Sequence, residues 1–167
     1  MNRGFSLLEL LIALAVLGSL ASMGIASHGR DRQRLELESA LRRVRVGLDR
    51  GRMAALHKGE PCGLRLTHEG WRAPVSTALP TCPNGLTPLR EPTANPVVLH
   101  SNLPDTVRFS ANGLVLDGGL VVLQHPRLAD AVCLVIGLPL GITRTGRYHR
   151  DPLVSLNSSQ CWPNDAG

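Results

Sequence analysis

A single charge set in an apolar N-terminal run constrains this chain more than any other feature. Met1 to Ile25 opens on a short polar leader containing Arg3 and continues through Leu, Ile, Ala and Val, with Glu9 the one ionisable residue of the run. A helix over Phe5 to Ser27 rises about 1.5 Å per residue, enough to cross a hydrocarbon core of about 30 Å. An ionised carboxylate inside that core costs at least about 2.5 to 3.5 kcal/mol. No opposite charge lies within the run, so Glu9 needs a partner from outside it. Cleavage after Gly4 would create one. The free amine of Phe5, presented by a neighbouring subunit in a packed helical bundle, would pair with Glu9, favour assembly and set the axial register.

The segment Gly4-Phe5-Ser6-Leu7-Leu8-Glu9-Leu10-Leu11 resembles the class III signal of type IV prepilins and pseudopilins. The resemblance implies that a prepilin peptidase cuts after Gly4 and methylates the new N-terminal Phe5, with Glu9 as the assembly glutamate. A secretory signal peptide is the competing reading, but its small-residue cleavage site is represented only by Ala21-Ser22-Met23 and Ala26-Ser27-His28. A plain membrane anchor is the other. Flanking charge alone, Arg3 before the run against Arg30, Arg32 and Arg34 after it, would put the N-terminus outside the cell. The resemblance implies the reverse: leader in the cytoplasm, one pass through the bacterial inner membrane, head in the periplasm. Long C-terminal domains translocate largely regardless of such charges.

Beyond the run, the apolar pattern becomes periodic. Leu37, Leu41, Val44, Leu48 and Ala55 fall at helical spacing, with Arg42, Arg45 and Arg52 on another face and Glu38 four residues before Arg42. The same helix is expected to emerge from the membrane and dock this stripe on a head, ending at Lys58-Gly59-Glu60-Pro61. The expected divisions are 1–4 leader, 5–27 membrane and assembly half of the helix, 28–58 its periplasmic half, and 59–167 a β-rich head. Cys62 to Thr67 alternates as a strand, and His68-Glu69-Gly70 turns it into a second at Trp71 to Val75. Six prolines between Pro74 and Pro96 predict an irregular surface loop. Further strands are expected at Pro96–His100, Thr106–Ser110, Leu114–Leu116, Leu120–Gln124, Ala131–Leu138, Ile142–Tyr148 and Leu153–Leu156. The fold class is α+β: a long helix packed on an antiparallel sheet or sandwich.

With aromatics at only 3% of the chain, the head must build its core from Leu, Val, Ile and Ala. Cys62, Cys82, Cys133 and Cys161 allow three disulfide pairings, and nearest neighbours in sequence, Cys62 with Cys82 and Cys133 with Cys161, are favoured. No C-x2-C or H-x3-H spacing supports a metal site. No nucleophile elbow, zinc-protease helix or phosphate loop is present, and the six histidines are scattered. The chain is therefore expected to be no enzyme and to carry no cofactor.

The helix end at Leu48 to Gly59, Val107-Arg108-Phe109-Ser110-Ala111-Asn112-Gly113 and a late strand closing on Gly146-Arg147 resemble the GspH/FimT minor pilins and pseudopilins. Membership implies a structural subunit of a type II secretion pseudopilus or a type IV pilus, often near the tip, with other minor pilins as partners. Net charge is +5 and 17 of the 18 basic residues are arginine. The densest basic stretch, Gly141 to Arg150, holds Arg144, Arg147 and Arg150 with Gly146 and Tyr148, types suited to gripping a nucleic-acid backbone and stacking on a base. In the FimT branch a G-R-x-R motif near this point is associated with double-stranded DNA binding during uptake. Gly146 and Arg147 match it, and the next arginine is displaced by one position to Arg150, which in an extended strand moves it to the other face. A solvated hairpin is the competing reading, and Arg42, Arg45 and Arg52 form a second candidate patch.

Overall fold

The computed structural model describes residues 6–75, 78–89 and 97–163, with backbone only over 21–30. One helix, α1 (Leu7–Lys58), leads into the head. It begins after Ser6 and stops at Gly59, which takes the left-handed conformation with φ 64° and places its N–H on the Leu56 carbonyl. Pro61 just beyond has no N–H with which to extend the ladder. The expected stripe is the covered face: Leu37, Leu41, Val44, Leu48 and Ala55 are buried, as is Ala40. Arg42 and Arg45 are exposed and Arg52 is half-buried. Glu38 pairs back to Arg34 at 3.7 Å, where the sequence suggested Arg42.

Among the described residues nine strands follow: β1 (Cys62–Thr67), β2 (Gly70–Arg72), β3 (Thr87–Pro88), β4 (Val98–Ser101), β5 (Val107–Phe109), β6 (Gly119–Gln124), β7 (Ala131–Gly137), β8 (Ile142–Tyr148) and β9 (Cys161–Pro163). They form two antiparallel sheets, ordered β3-β2-β1-β5 and β4-β6-β7-β8-β9. The α+β class is therefore as expected, and α1 packs against strands of both sheets. Two expected strands are absent. Only Val115 of Leu114–Leu116 pairs, through an isolated bridge to Phe109. Leu153–Leu156 belongs to a turn and return segment, because Asp151 accepts from the Leu153 N–H at 2.9 Å and Pro152 suits a turn's second position. The second strand ends at Arg72, short of the expected Val75. The proline loop is tied down by the Cys62–Cys82 disulfide, by Gly63 N–H on the Pro80 carbonyl at 2.9 Å, and by the two-residue β3. A second disulfide joins Cys133 to Cys161. Bridges closing loops of this size are worth about 3 kcal/mol each when unstrained.

The packing turns on two glycines of α1. A Cβ on Gly47 would overlap the Trp71 ring, and one on Gly51 would stand 2.8 Å from the Phe109 ring and 2.9 Å from Leu64. These absences let the helix backbone come down onto the large side chains of the first sheet. The indole N–H of Trp71 then donates to the Val44 carbonyl at 2.8 Å, so the buried polar atom is satisfied. The second sheet adds Val121, Leu123, Leu134 and Ile136 to the same core. Its other face buries Leu120, Val122, Cys133 and Tyr148 under the C-terminal segment.

At the edge of the first sheet, Arg108 holds Asp117 with a two-pronged contact, 2.8 Å on each arm, and its backbone N–H adds a third bond at 2.9 Å. These hydrogen bonds hold the Asp117 carboxyl below its ordinary range, against a smaller opposing effect of burial. A lowered folded-state pKa contributes stability above the unfolded carboxylate value, and that contribution is lost as pH falls through the folded one.

Three outcomes are expected. Gly47→Ala should destabilise the head by about 1–3 kcal/mol through overpacking, and Trp71→Phe by about 1 kcal/mol through the lost hydrogen bond, in urea unfolding followed by circular dichroism. Asp117→Asn should flatten the loss of stability below about pH 4, where the wild type gives up its Arg108 contact. An unchanged acid limb in thermal melts would refute that assignment.

Candidate functional site

The processing residues expected from the sequence, Gly4 and Phe5, lie outside the described residues. Glu9 is described: it sits in the first turn of α1 and is exposed. A helix N-terminus stabilises a carboxylate by about 0.3–1 kcal/mol, well short of the cost of burying one in hydrocarbon. Around Glu9 the helix is apolar on every side. Leu7, Leu8, Leu10, Leu11, Ile12, Leu14, Val16, Leu17 and Leu20 are all more than half exposed. Ser19 folds its hydroxyl back onto the Val16 carbonyl at 2.8 Å, which hides one polar group. A helix that is apolar all round requires lipid or other helices about it. Among the described residues no helix is long and apolar enough to cross a membrane; of the span expected over 5–27, residue 5 lies outside the described residues and 21–27 are described in backbone only.

In the head, the candidate DNA-binding residues do not converge. In the β7–β8 register Arg144 lies opposite Val135 and Arg147 opposite Val132. Val135 packs on the outer face and Val132 on the inner, so the two arginines point to opposite faces. Arg144 donates to the Ser158 carbonyl at 3.1 Å, Arg147 faces Asp130 at 3.9 Å, and Arg150 lies beyond the end of the strand. Tyr148 is not available for stacking: its ring is buried, and its hydroxyl donates to the Ser155 carbonyl at 2.7 Å while accepting from the Asn157 N–H at 3.1 Å. Gly146 is buried too, and a Cβ there would overlap the Trp162 carbonyl of β9. The backbone that needs this glycine is the chain's own. β9 closes over β8 there, beside Cys161 and its disulfide to Cys133, which lies opposite Gly146. The second patch is divided likewise, since Arg52 donates to the Gly113 carbonyl at 3.2 Å and pins the β5 turn to the helix end.

All four cysteines are in disulfides, and among the described residues no group of His, Cys, Asp and Glu is placed to hold a metal. A feature not legible in the sequence is the pair of clefts flanking Arg147. One of about 480 Å³ is lined by Asp130, Arg150, Asp151 and Leu153 among others, and one of about 260 Å³ by Asp31, Arg34, Leu37 and Leu128. The first is open and mixed in charge, with no nucleophile-and-base arrangement.

Residues 1–25 match the family model of the prokaryotic N-terminal methylation motif. Together with the exposed apolar stretch of α1 from Leu7 to Leu20 and the β head, this match supports a type IV pilin-like protein: a precursor processed by prepilin peptidase and assembled with other pilins. No curated protein and no solved structure gives a significant match to the chain.

The two readings of Gly146 diverge experimentally. Gly146→Ala should cost about 1–3 kcal/mol because β9 must move off β8, seen as a lower melting temperature of the oxidised protein. A glycine serving only to admit a phosphate would leave the melt unchanged.

Proposed function

We propose that this chain is a structural minor pilin or pseudopilin of the GspH/FimT kind, with no catalytic role of its own. Prepilin peptidase removes residues 1–4 and methylates Phe5. Residues 5–27 hold the subunit in the inner membrane with its head in the periplasm, and α1 then enters the helical bundle of a filament. Glu9 pairs there with the Phe5 amine of a neighbouring subunit. The observation that carries this reading is the methylation motif over residues 1–25 on a helix whose first part is uncovered and whose later part, Leu37 to Ala55, is sealed by the head. One half of the helix is finished by its own chain, and the other awaits other chains. A place in a type II secretion pseudopilus or in a type IV pilus, near the tip, uses these same features. The DNA-uptake alternative finds less support in the head, because Arg144 and Arg147 face apart and Gly146 and Tyr148 are occupied by β9 and the C-terminal segment.

The test compares wild type with Glu9→Val in the native host. Mass spectrometry of membrane-extracted protein should find an N-terminal methylphenylalanine in both. The variant should remain in the membrane fraction while its recovery in sheared filaments falls roughly tenfold or more, since removing one member of a buried pair strands the other. An intact Met1, cleavage near Ala26, or normal incorporation of the variant would each overturn the reading.

A further inference from the structure

β8 runs antiparallel to α1 along its side. The chain enters β8 beside Arg52, where a Cβ on Gly141 would stand 3.2 Å from the Arg52 side chain. It leaves near Arg34, which lines a cleft with Arg147. The helix rises about 27 Å between residues 34 and 52, and a seven-residue strand spans about 23 Å, so the two routes agree. After Tyr148 the chain therefore continues toward the N-terminal half of α1. It turns at residues 151–154 and comes back to place Ser155 on the Tyr148 hydroxyl. β6 runs in the same direction as β8, so the β6–β7 turn with exposed Arg127 lies at this end as well.

The tip of the 151–154 turn is apolar. Leu153 is 79% and Val154 75% exposed, the highest values for any large apolar side chain of the head among the described residues. Arg150 next to them is exposed, and Trp162, packed on the His149 ring at 5.0 Å, is 58% exposed. Among the described residues the carboxylates at this end are Asp151, which accepts from the Leu153 N–H within the turn, and Asp130, 3.9 Å from Arg147, together with Glu38, paired with Arg34, and Asp31, which line one cleft with Arg34 and Arg147. Uncovered aliphatic tips beside arginines and an edge tryptophan match the chemistry of a membrane interface, where apolar tips enter the acyl boundary, basic groups meet anionic headgroups and Trp sits between.

Height decides between lipid and open solvent. If the hydrocarbon ends near Ser27, residues 31–34 stand about 6–10 Å above it, and the headgroup layer is itself about 5–8 Å deep. A turn that extends past the level of Arg34 toward the bilayer reaches that layer. We propose that in the unassembled subunit the Arg150–Val154 turn rests on the anionic surface of the periplasmic leaflet, with Leu153 and Val154 in the acyl boundary and Arg150 and Arg127 on lipid phosphates. The proposal rests on the reading that residues 5–27 anchor the chain. It gives the head a second attachment, which fixes its orientation on the membrane before it enters a filament.

The experiment uses the full chain in vesicles of phosphatidylcholine, with and without phosphatidylglycerol, containing acyl-brominated lipid as a contact quencher. Leu153→Trp adds a reporter at an exposed site, and the wild-type signal from Trp71 and Trp162 is subtracted. The added tryptophan should be quenched about twofold or more with phosphatidylglycerol present, and Arg150→Gln in that background should weaken its lipid contact about fivefold. Flotation of the same samples reports anchoring separately. If the chain floats with the vesicles and the added tryptophan is not quenched, the turn does not touch lipid and the proposal falls while the anchor stands. If the chain does not float, the anchor reading fails and takes the proposal with it. Quenching that is equal in the two lipids overturns the assignment of the arginines to anionic headgroups.

Discussion

The close approach of α1 to the first sheet at Gly47 and Gly51 is the constraint on which the rest of the head depends. Because both positions lack a side chain, Trp71 and Phe109 lie directly against the helix backbone, and the few large residues of an aromatic-poor chain are spent where they bury most. The Trp71 N–H on the Val44 carbonyl then fixes the strand along the helix axis as well as across it. Among the side chains described, the apolar contacts of α1 with the head do not run along its whole length. The head grips it over little more than Leu37 to Ala55, and that grip has to be tight.

The second sheet solves a different problem. It buries both faces, one under α1 and one under the chain that follows β8, so its strands read as nearly continuous apolar runs, Leu120 to Leu123 and Ala131 to Ile136. The outer face is closed by a short segment of modest apolar content, and three local devices hold it. These are the Cys133–Cys161 bridge, the Tyr148 hydroxyl shared by Ser155 and Asn157, and the vacancy at Gly146 that lets β9 come over β8. The same closing segment carries the exposed Leu153 and Val154, so the part that seals the sheet also forms the end of the head nearest the uncovered half of the helix.

Much of this was legible in order along the chain. Helical spacing marked the buried face of α1, and the Gly59–Pro61 stop marked its end. β1 and β8 begin and end where alternation and turn residues put them. The misses share one cause. Leu114–Leu116 and Leu153–Leu156 are apolar enough for strands, but a strand needs a partner edge, and whether one is present is set by distant parts of the chain. Asp151-Pro152 did carry a turn signal, outweighed by the aliphatic residues after it. β3 and β9 are too short to show a period; both lie at sheet edges, β9 carrying one disulfide cysteine and β3 following another, Cys82, in the chain.

The sequence by itself determined the N-terminal pattern: a charge inside an apolar run and a glycine before a phenylalanine, within the methylation motif that residues 1–25 match. Those are local properties of consecutive residues, and no fold is required to state them. It also determined the α+β class and left the cysteines only three ways to pair. Only the tertiary structure decided what the arginine-rich strand presents, because the direction of each side chain depends on register with β7 and on what covers each face. Gly146, Arg147 and Tyr148 read together as one motif in sequence. In space the glycine is filled by β9, the tyrosine is turned into the outer core, and the arginine points to the other face beside Asp130. Adjacent positions in a pleated strand face opposite ways, so a motif of consecutive residues is divided as soon as the sheet acquires two covered sides.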